Sequence, residues 1–236
     1  MAEWAPKRFW KQAEADPVPG GFAVRLDGRP VKTPAKAALV VPTRALADAI
    51  AAEWDAQEER IDPAAMPFTR SANAAIDKVT PQFDDVAQML ADYADADLLC
   101  YRAEGPETLI RRQAEGWDPL LDWSARALAA PLVPVAGVMH APQPGDSLRA
   151  LGNRVFALTP FELTAFHDLV TISGSLVIGL AVVDCHRPVA ELWEASRIDE
   201  AWQEELWGSD EEAAERTESR RKAFFHAARL LDLLAG

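Results

Sequence analysis

The ten residues SLVIGLAVVD, from Ser175 to Asp184, carry no charge before the last position and have no polar face at any helical or strand spacing. A helix that is apolar all round must be covered on every side. This one is about half the length a membrane-spanning helix needs, so the cover has to come from the rest of the chain. The stretch is therefore predicted to be the central helix of a bundle. At 236 residues the chain is long enough for such a core, as one large domain or two modest ones.

The sequence around it supplies candidate helices. Thr159-Pro160-Phe161-Glu162 is a capping box, in which hydroxyl and carboxylate each satisfy an orphan N–H, and it launches a helix bearing Phe166, Leu169 and Val170. Thr80-Pro81 and Asp118-Pro119 look like N-caps followed by proline at the first helical position. The first would open a helix with Phe83, Val86, Leu90 and Tyr93 on its buried stripe; the second would open one through WSARALAA. Pro188 is predicted to open a long helix ending near Gly208, and Ser209 to Glu212 form a second capping box for the last helix. The Pro/Gly-rich PLVPVAGVMHAPQPGDS, 131–147, is the long connection and the expected mobile loop.

The first forty residues read differently. Phe22, Val24 and Leu26 alternate along GFAVRL, Asp27-Gly28 has two-residue hairpin chemistry, and AALVVP (37–42) is a further strand. Leu46, Ile50 and Trp54 then recur at helical spacing, giving a helix able to cover that sheet, and Ala72, Ile76 and Val79 fit a second short one. The predicted organisation is a small α/β domain over residues 1–80 and a larger all-α helical bundle over 81–236, an α+β fold whose small sheet has covering helices. No internal repeat is present.

Composition narrows function mainly by exclusion. With 24 Lys plus Arg against 37 Asp plus Glu, the net charge of −13 opposes binding to nucleic acid or an anionic membrane. Cys100 and Cys185 sit in largely apolar surroundings, and both the lack of a disulfide framework and a start without a leader-like pattern suit the cytoplasm. Neighbours on a helix diverge by about 100°, so Cys185 and His186 are not a thiol–imidazole pair; Cys185 is expected in the core and His186 at a helix C-terminus. No phosphate-binding glycine turn, nucleophile elbow or metal-ligand spacing occurs, so neither cofactor, metal nor catalytic residue is assigned. His167-Asp168 is a weak fragment that keeps a hydrolase-like alternative open.

The remaining feature is IDEAWQEELWGSDEEAAER, 198–216, where tryptophans sit among carboxylates. On one helix from 188 to 208, Ala195, Ile198, Trp202 and Leu206 share a core stripe, and Trp193, Glu200, Glu204 and Trp207 lie opposite. Two readings stand. Trp193 and Trp207 could pack on a neighbouring helix with the glutamates solvated, or the face could hold a partner through aromatic anchors and charge. The candidate partner-binding residues are Trp193, Glu200, Glu204, Glu205, Trp207 and Asp210.

DGRPVKTPAKAALVVPTRALADAIAAEWDAQ, MPFTRSANAAID, DLLCYRAEGPETLIRRQAEGWDPLLDW and IDEAWQEELWGSDEE together resemble the assembly chaperones of the ATP synthase F(1) sector that act on the alpha subunit, the ATP12 family. The resemblance runs from about residue 20 to residue 215. It implies a two-domain, non-enzymatic chaperone without nucleotide or metal. Such a protein binds unassembled alpha subunit, shields the surface later buried against beta, and is released when beta arrives. It further implies that an acidic position in the DEAWQEELWG block matters, with Glu200, Glu204 and Glu205 as candidates, and that eukaryotic relatives work in the mitochondrial matrix. An adaptor for another protein client is the remaining alternative.

Overall fold

The computed structural model describes residues 7–208 and 210–236. Ser209, the first residue of the second expected capping box, lies outside them. The chain divides into two compact units. Of the described residues, the first comprises 7–83, 159–165 and 229–236; the second comprises 84–158, 166–208 and 210–228. Two segments of the predicted helical domain thus cluster with the N-terminal unit.

In the first unit β1 (Ala13–Val18) and β2 (Gly21–Leu26) form an antiparallel hairpin; β3 (Arg29–Pro30) and β4 (Val40–Val41) both pair with β2. Asp27 and Gly28 both take positive φ, 47° and 78°, as the expected two-residue turn requires. β1 is an addition to the sequence reading, because AEADPV is polar and has little strand propensity. Its outer edge is blunted: Asp55 Oδ1 accepts the Ala13 N–H at 2.9 Å, and Pro17 has none to offer. The helix α1 (Arg44–Asp55) is capped by Thr43 and buries Leu46 and Ile50. The Thr43 hydroxyl also donates to the carbonyl of Leu233 at 2.6 Å, which fastens the chain's end to this unit.

Glu53 of α1 caps the start of the next helix, α2 (Pro67–Ala74). Its carboxylate accepts the N–H groups of Phe68 and Thr69, at 2.6 and 2.7 Å, and the Thr69 hydroxyl at 2.7 Å. Burial nonetheless pushes the Glu53 carboxyl above its ordinary value. The backbone does not restart at Thr80-Pro81. It runs on through a π turn (Ala75–Val79) and a 3-10 turn (Thr80–Gln82) into α3 (Phe83–Ala91). Thr80 is helical and its hydroxyl donates back to the Ala75 carbonyl at 2.7 Å, so it is no N-cap; the wider turn accommodates a proline without an N–H.

In the second unit α4 runs from Glu107 to Ala127 with Pro119 inside it, starting twelve residues earlier than the Asp118-Pro119 reading placed its first helical residue. Gln113, Trp117, Leu120, Leu121 and Ser124 form its buried face. A two-stranded parallel pair follows, β5 (Tyr101–Arg102) with β6 (Val135–Ala136). Then come α5 (Gly145–Phe156), α6 (Pro160–Ser173), whose residues 160–165 cluster with the first unit, and α7 (Leu176–Val183). Thr159 and Glu162 exchange the reciprocal capping bonds, at 2.7 and 3.3 Å. Cys185 is exposed, contrary to the core expectation, because α7 ends at Val183 and Cys185 turns out at φ 49°; His186 stacks on Trp123.

As the all-apolar sequence requires, α7 is buried from Leu176 through Val182. A Cβ on Gly179 would stand 2.8 Å from Phe166 and 2.9 Å from Val170 of α6, so glycine sets that close crossing. Its N-terminus is finished inside the protein. The Ser175 hydroxyl accepts the Ile178 N–H, and Asp97, fully buried, accepts the N–H groups of Val177 and Leu99, all at 3.0 Å. Loss of water raises the Asp97 carboxyl to about 6, against hydrogen bonds from Val177, Leu99, Ser175 and Leu176 that pull it down.

The folded state thus holds the Asp97 proton more tightly than the unfolded chain, whose carboxyl titrates near 3.8. Its contribution is present below pH 4 and lost as pH rises through 6, at about 1.4 kcal/mol per pH unit and about 3 kcal/mol in all. Asp97→Asn removes the titration, so its unfolding free energy should rise relative to the parent by that amount between pH 3.5 and pH 7 in urea denaturation. A pH-independent difference would refute the assignment.

Candidate functional site

The long helix expected after Pro188 is two helices, α8 (Val189–Ala195) and α9 (Ile198–Trp207). Ser196 closes the first: its hydroxyl donates to the Trp193 carbonyl at 2.7 Å and its N–H to Leu192 and Trp193. Arg197 leaves helical geometry at φ −117°, ψ 9°, and the break resets the phase between the two halves. Trp193 is consequently only 4% exposed and packs on Phe224, 5.6 Å between ring centres, so it belongs to the core and not to a surface. Beyond the break Leu206, expected in the core, is 56% exposed, while Trp207, expected on the opposite face, is 77% exposed.

No residue of α9 is buried. Directed polar contacts hold it instead. Arg197, itself buried, reaches Glu200 at 2.8 Å, Glu204 at 3.4 Å and the Thr217 hydroxyl at 3.3 Å. Arg112 of α4 pairs with Glu205 at 2.7 Å and lies over the Trp202 ring at 4.9 Å. That bond holds the Glu205 carboxyl below its ordinary value and lifts the Arg112 guanidinium. Gln113 donates to Asp199 at 2.6 Å, and buried Trp117 donates its indole N–H to the Ala195 carbonyl at 2.7 Å.

Gly208 ends α9 at φ 78°, ψ 161°, a conformation that favours glycine. Asp210 then caps α10 (Glu211–Leu234), accepting the Ala213 N–H at 2.7 Å. Between α9 and α10 lies an open cleft of about 370 Å³, whose lining includes Arg197, Glu200, Glu204, Trp207, Asp210 and Thr217. The structure thus gathers four of the six predicted residues, Glu200, Glu204, Trp207 and Asp210, at one cleft. It places Glu205 on the Arg112 side of the helix and Trp193 inside. Leu206, Arg197 and Arg112 were absent from the prediction. Arg197 was legible, since Glu200 and Glu204 follow at helical spacing; Arg112 pairs across 93 residues and leaves no local signal.

The arrangement offers a binding surface of apolar anchors with acidic edges. His167 Nδ1 and Asp168 Oδ1 lie 3.1 Å apart on neighbouring residues of α6, and neither lines the α9–α10 cleft. Among the described residues no group of acidic, histidine and cysteine side chains could hold a metal, and no helix is long and apolar enough to cross a membrane.

Residues 7–125 match the model of the family described as ATP12 chaperone protein. The chain is 26% identical over 224 residues to the mitochondrial protein atp12 of Schizosaccharomyces pombe, covering 89% of this chain and 76% of that protein. The crystal structure of Atp12 from Paracoccus denitrificans superposes with a TM-score of 0.95 at 53% identity, over 98% of this chain and 100% of that one. The Atu1473 protein of Agrobacterium tumefaciens gives 0.93 at 41% identity, over 97% and 86%.

Because α9 is held by charge and hydrogen bonds, Arg197→Met should release it without melting the bundle. Amide exchange at 198–207 is expected to accelerate at least ~tenfold while α7 amides are unchanged. Unaltered exchange in α9 would show that Arg197 does not hold it.

Proposed function

The chain belongs to the ATP12 chaperone protein family, and from that premise we propose that it serves assembly of the ATP synthase F(1) sector by binding unassembled alpha subunit. On this reading it covers the alpha surface later buried against beta and gives it up when beta arrives. The observation that carries the proposal is the display of Leu206 and Trp207 on a helix with no buried residue. Large exposed apolar side chains with charged neighbours mark interaction sites, and a free subunit needs its own apolar interface covered. Release needs no chemistry, only a competitor with the better-matched interface. The net charge of −13 speeds encounter with basic patches on a client.

Charge reversal at Glu200 or Glu204 is a poor probe, because a lysine there would face buried Arg197. Leu206→Ser with Trp207→Ser removes the anchors and leaves the ion pairs intact. Mixed with isolated alpha and beta subunits, the parent chain should form a stoichiometric complex with alpha alone on size-exclusion chromatography with light scattering. The double variant should bind at least ~tenfold more weakly. A complex with beta only, or unchanged affinity in the variant, would refute the assignment and favour an adaptor with a different client.

A further inference from the structure

Two features of the second unit take no part in the α9 surface. The first is the connection from α4 to α5. It is fastened at both ends: Ser124 Oγ donates to the Ala130 carbonyl at 2.9 Å and Ser147 Oγ to the Pro131 carbonyl at 2.7 Å. The Gln143 amide clamps Val133, accepting its N–H at 2.8 Å and donating to its carbonyl at 3.0 Å. Asp95 accepts the Gln143 N–H and contacts His140 Nε2, both at 2.9 Å. Gly137, at φ 83°, donates to the Arg102 carbonyl at 2.8 Å where β6 leaves β5. Held in this way, the tip keeps Val138 90% and Met139 80% exposed. Apolar side chains on a slack loop would fold back against the surface; here the anchors hold them in water.

The second feature is a groove of about 510 Å³ between α5 and the chain from α3 into the 3-10 turn after it. Ala91 and Gly152 are its small residues; a Cβ on Gly152 would stand 3.8 Å from that of Ala91. Leu148 and half-exposed Phe156 add apolar surface. Asp92 and Asp95 give it acid, while its one cation, Arg149, is paired with Asp146. Asp95 belongs to both features, so tip and groove are joined. Glu104, beside Gly137, adds a further carboxylate.

We propose that this tip and groove form a second docking surface, for an amphipathic helix of the client that is apolar on one side and edged with Lys or Arg. Two flanking helical walls and small residues between them suit a helix laid into a groove, and the unbranched Met139 adapts to varied apolar partners. The excess of carboxylates selects basic edges and disfavours both an anionic membrane and a second copy of this chain at −13. That the helix comes from the client rests on the chaperone reading; the groove's preference for a basic amphipathic helix does not.

The test titrates the parent chain, Val138→Ser with Met139→Ser, and Phe156→Ser, each with an amphipathic Leu/Lys helical peptide, its scrambled version and isolated alpha subunit, and takes Leu206→Ser with Trp207→Ser as the control for the peptide. Far-UV dichroism confirms that each is folded. The parent should bind the amphipathic peptide and not the scrambled one, both variants should lose at least ~tenfold, and alpha affinity should fall with them. Leu206→Ser with Trp207→Ser should leave peptide binding unchanged. Equal peptide binding by parent and variants overturns the surface. Unchanged alpha affinity in variants that have lost the peptide overturns the client as its occupant. If alpha binds no form of the chain, the chaperone reading fails and the peptide titration still decides the surface. Self-association of the parent that the variants lose would make a second copy the occupant and overturn the proposal.

Discussion

A helix without a polar face still has a polar end. Burying α7 on all sides places its first N–H groups where water cannot reach them, and each one left unpaired costs about 1–3 kcal/mol. Asp97 and Ser175 supply the acceptors, and the supply is specific because Asp97 arrives from a segment 80 residues away in sequence. The close α6–α7 crossing at Gly179 and the 3-10 turn at Leu98–Cys100 depend on α7 being anchored there. The same carboxylate also acts on its neighbourhood: burial, then the nearby Asp97 charge, push the Cys100 thiol up to about 12, which leaves it inert. Glu53 at the start of α2 repeats the device in the first unit.

A different economy governs α9. Its ends are cut by the Arg197 break and Gly208, and its body is held by Arg197, Arg112 and Gln113 rather than by burial. A helix secured from its polar side is free to offer Leu206 and Trp207 to something else. Burial of either in the core would have stabilised the bundle and removed the surface. Surface ion pairs are individually weak, so such a helix sits at the low-stability end of the fold, where binding elements are commonly found.

Much of this architecture is legible in the sequence. The all-apolar run fixed α7, the Asp27-Gly28 turn fixed a hairpin, and Thr159 with Glu162 fixed a helix start, because each signal is local and chemically specific. Proline misled where it was taken alone. Thr80-Pro81 and Asp118-Pro119 imitate helix starts, but the chain absorbs one in the 3-10 turn that follows a π turn and the other inside α4, whose apolar face continues past it. The acidic tryptophan run was legible as a site region and illegible in detail. One helical wheel carried through the break at Arg197 sets Trp193 outside and Leu206 inside, whereas Trp193 packs on Phe224 and Leu206 is exposed; Trp207 is exposed, as the wheel has it. Asp97 could not be found from sequence, because nothing near it shows that the helix it caps is 80 residues away.

On the proposed function, α9 is the surface offered to an unassembled alpha subunit. Hydrogen–deuterium exchange of the chain, alone and mixed with isolated alpha, tests it directly. The account predicts slowed exchange across 198–208 in the complex, with α7 unchanged. A complex that forms and leaves 198–208 exchanging at its free rate would contradict it.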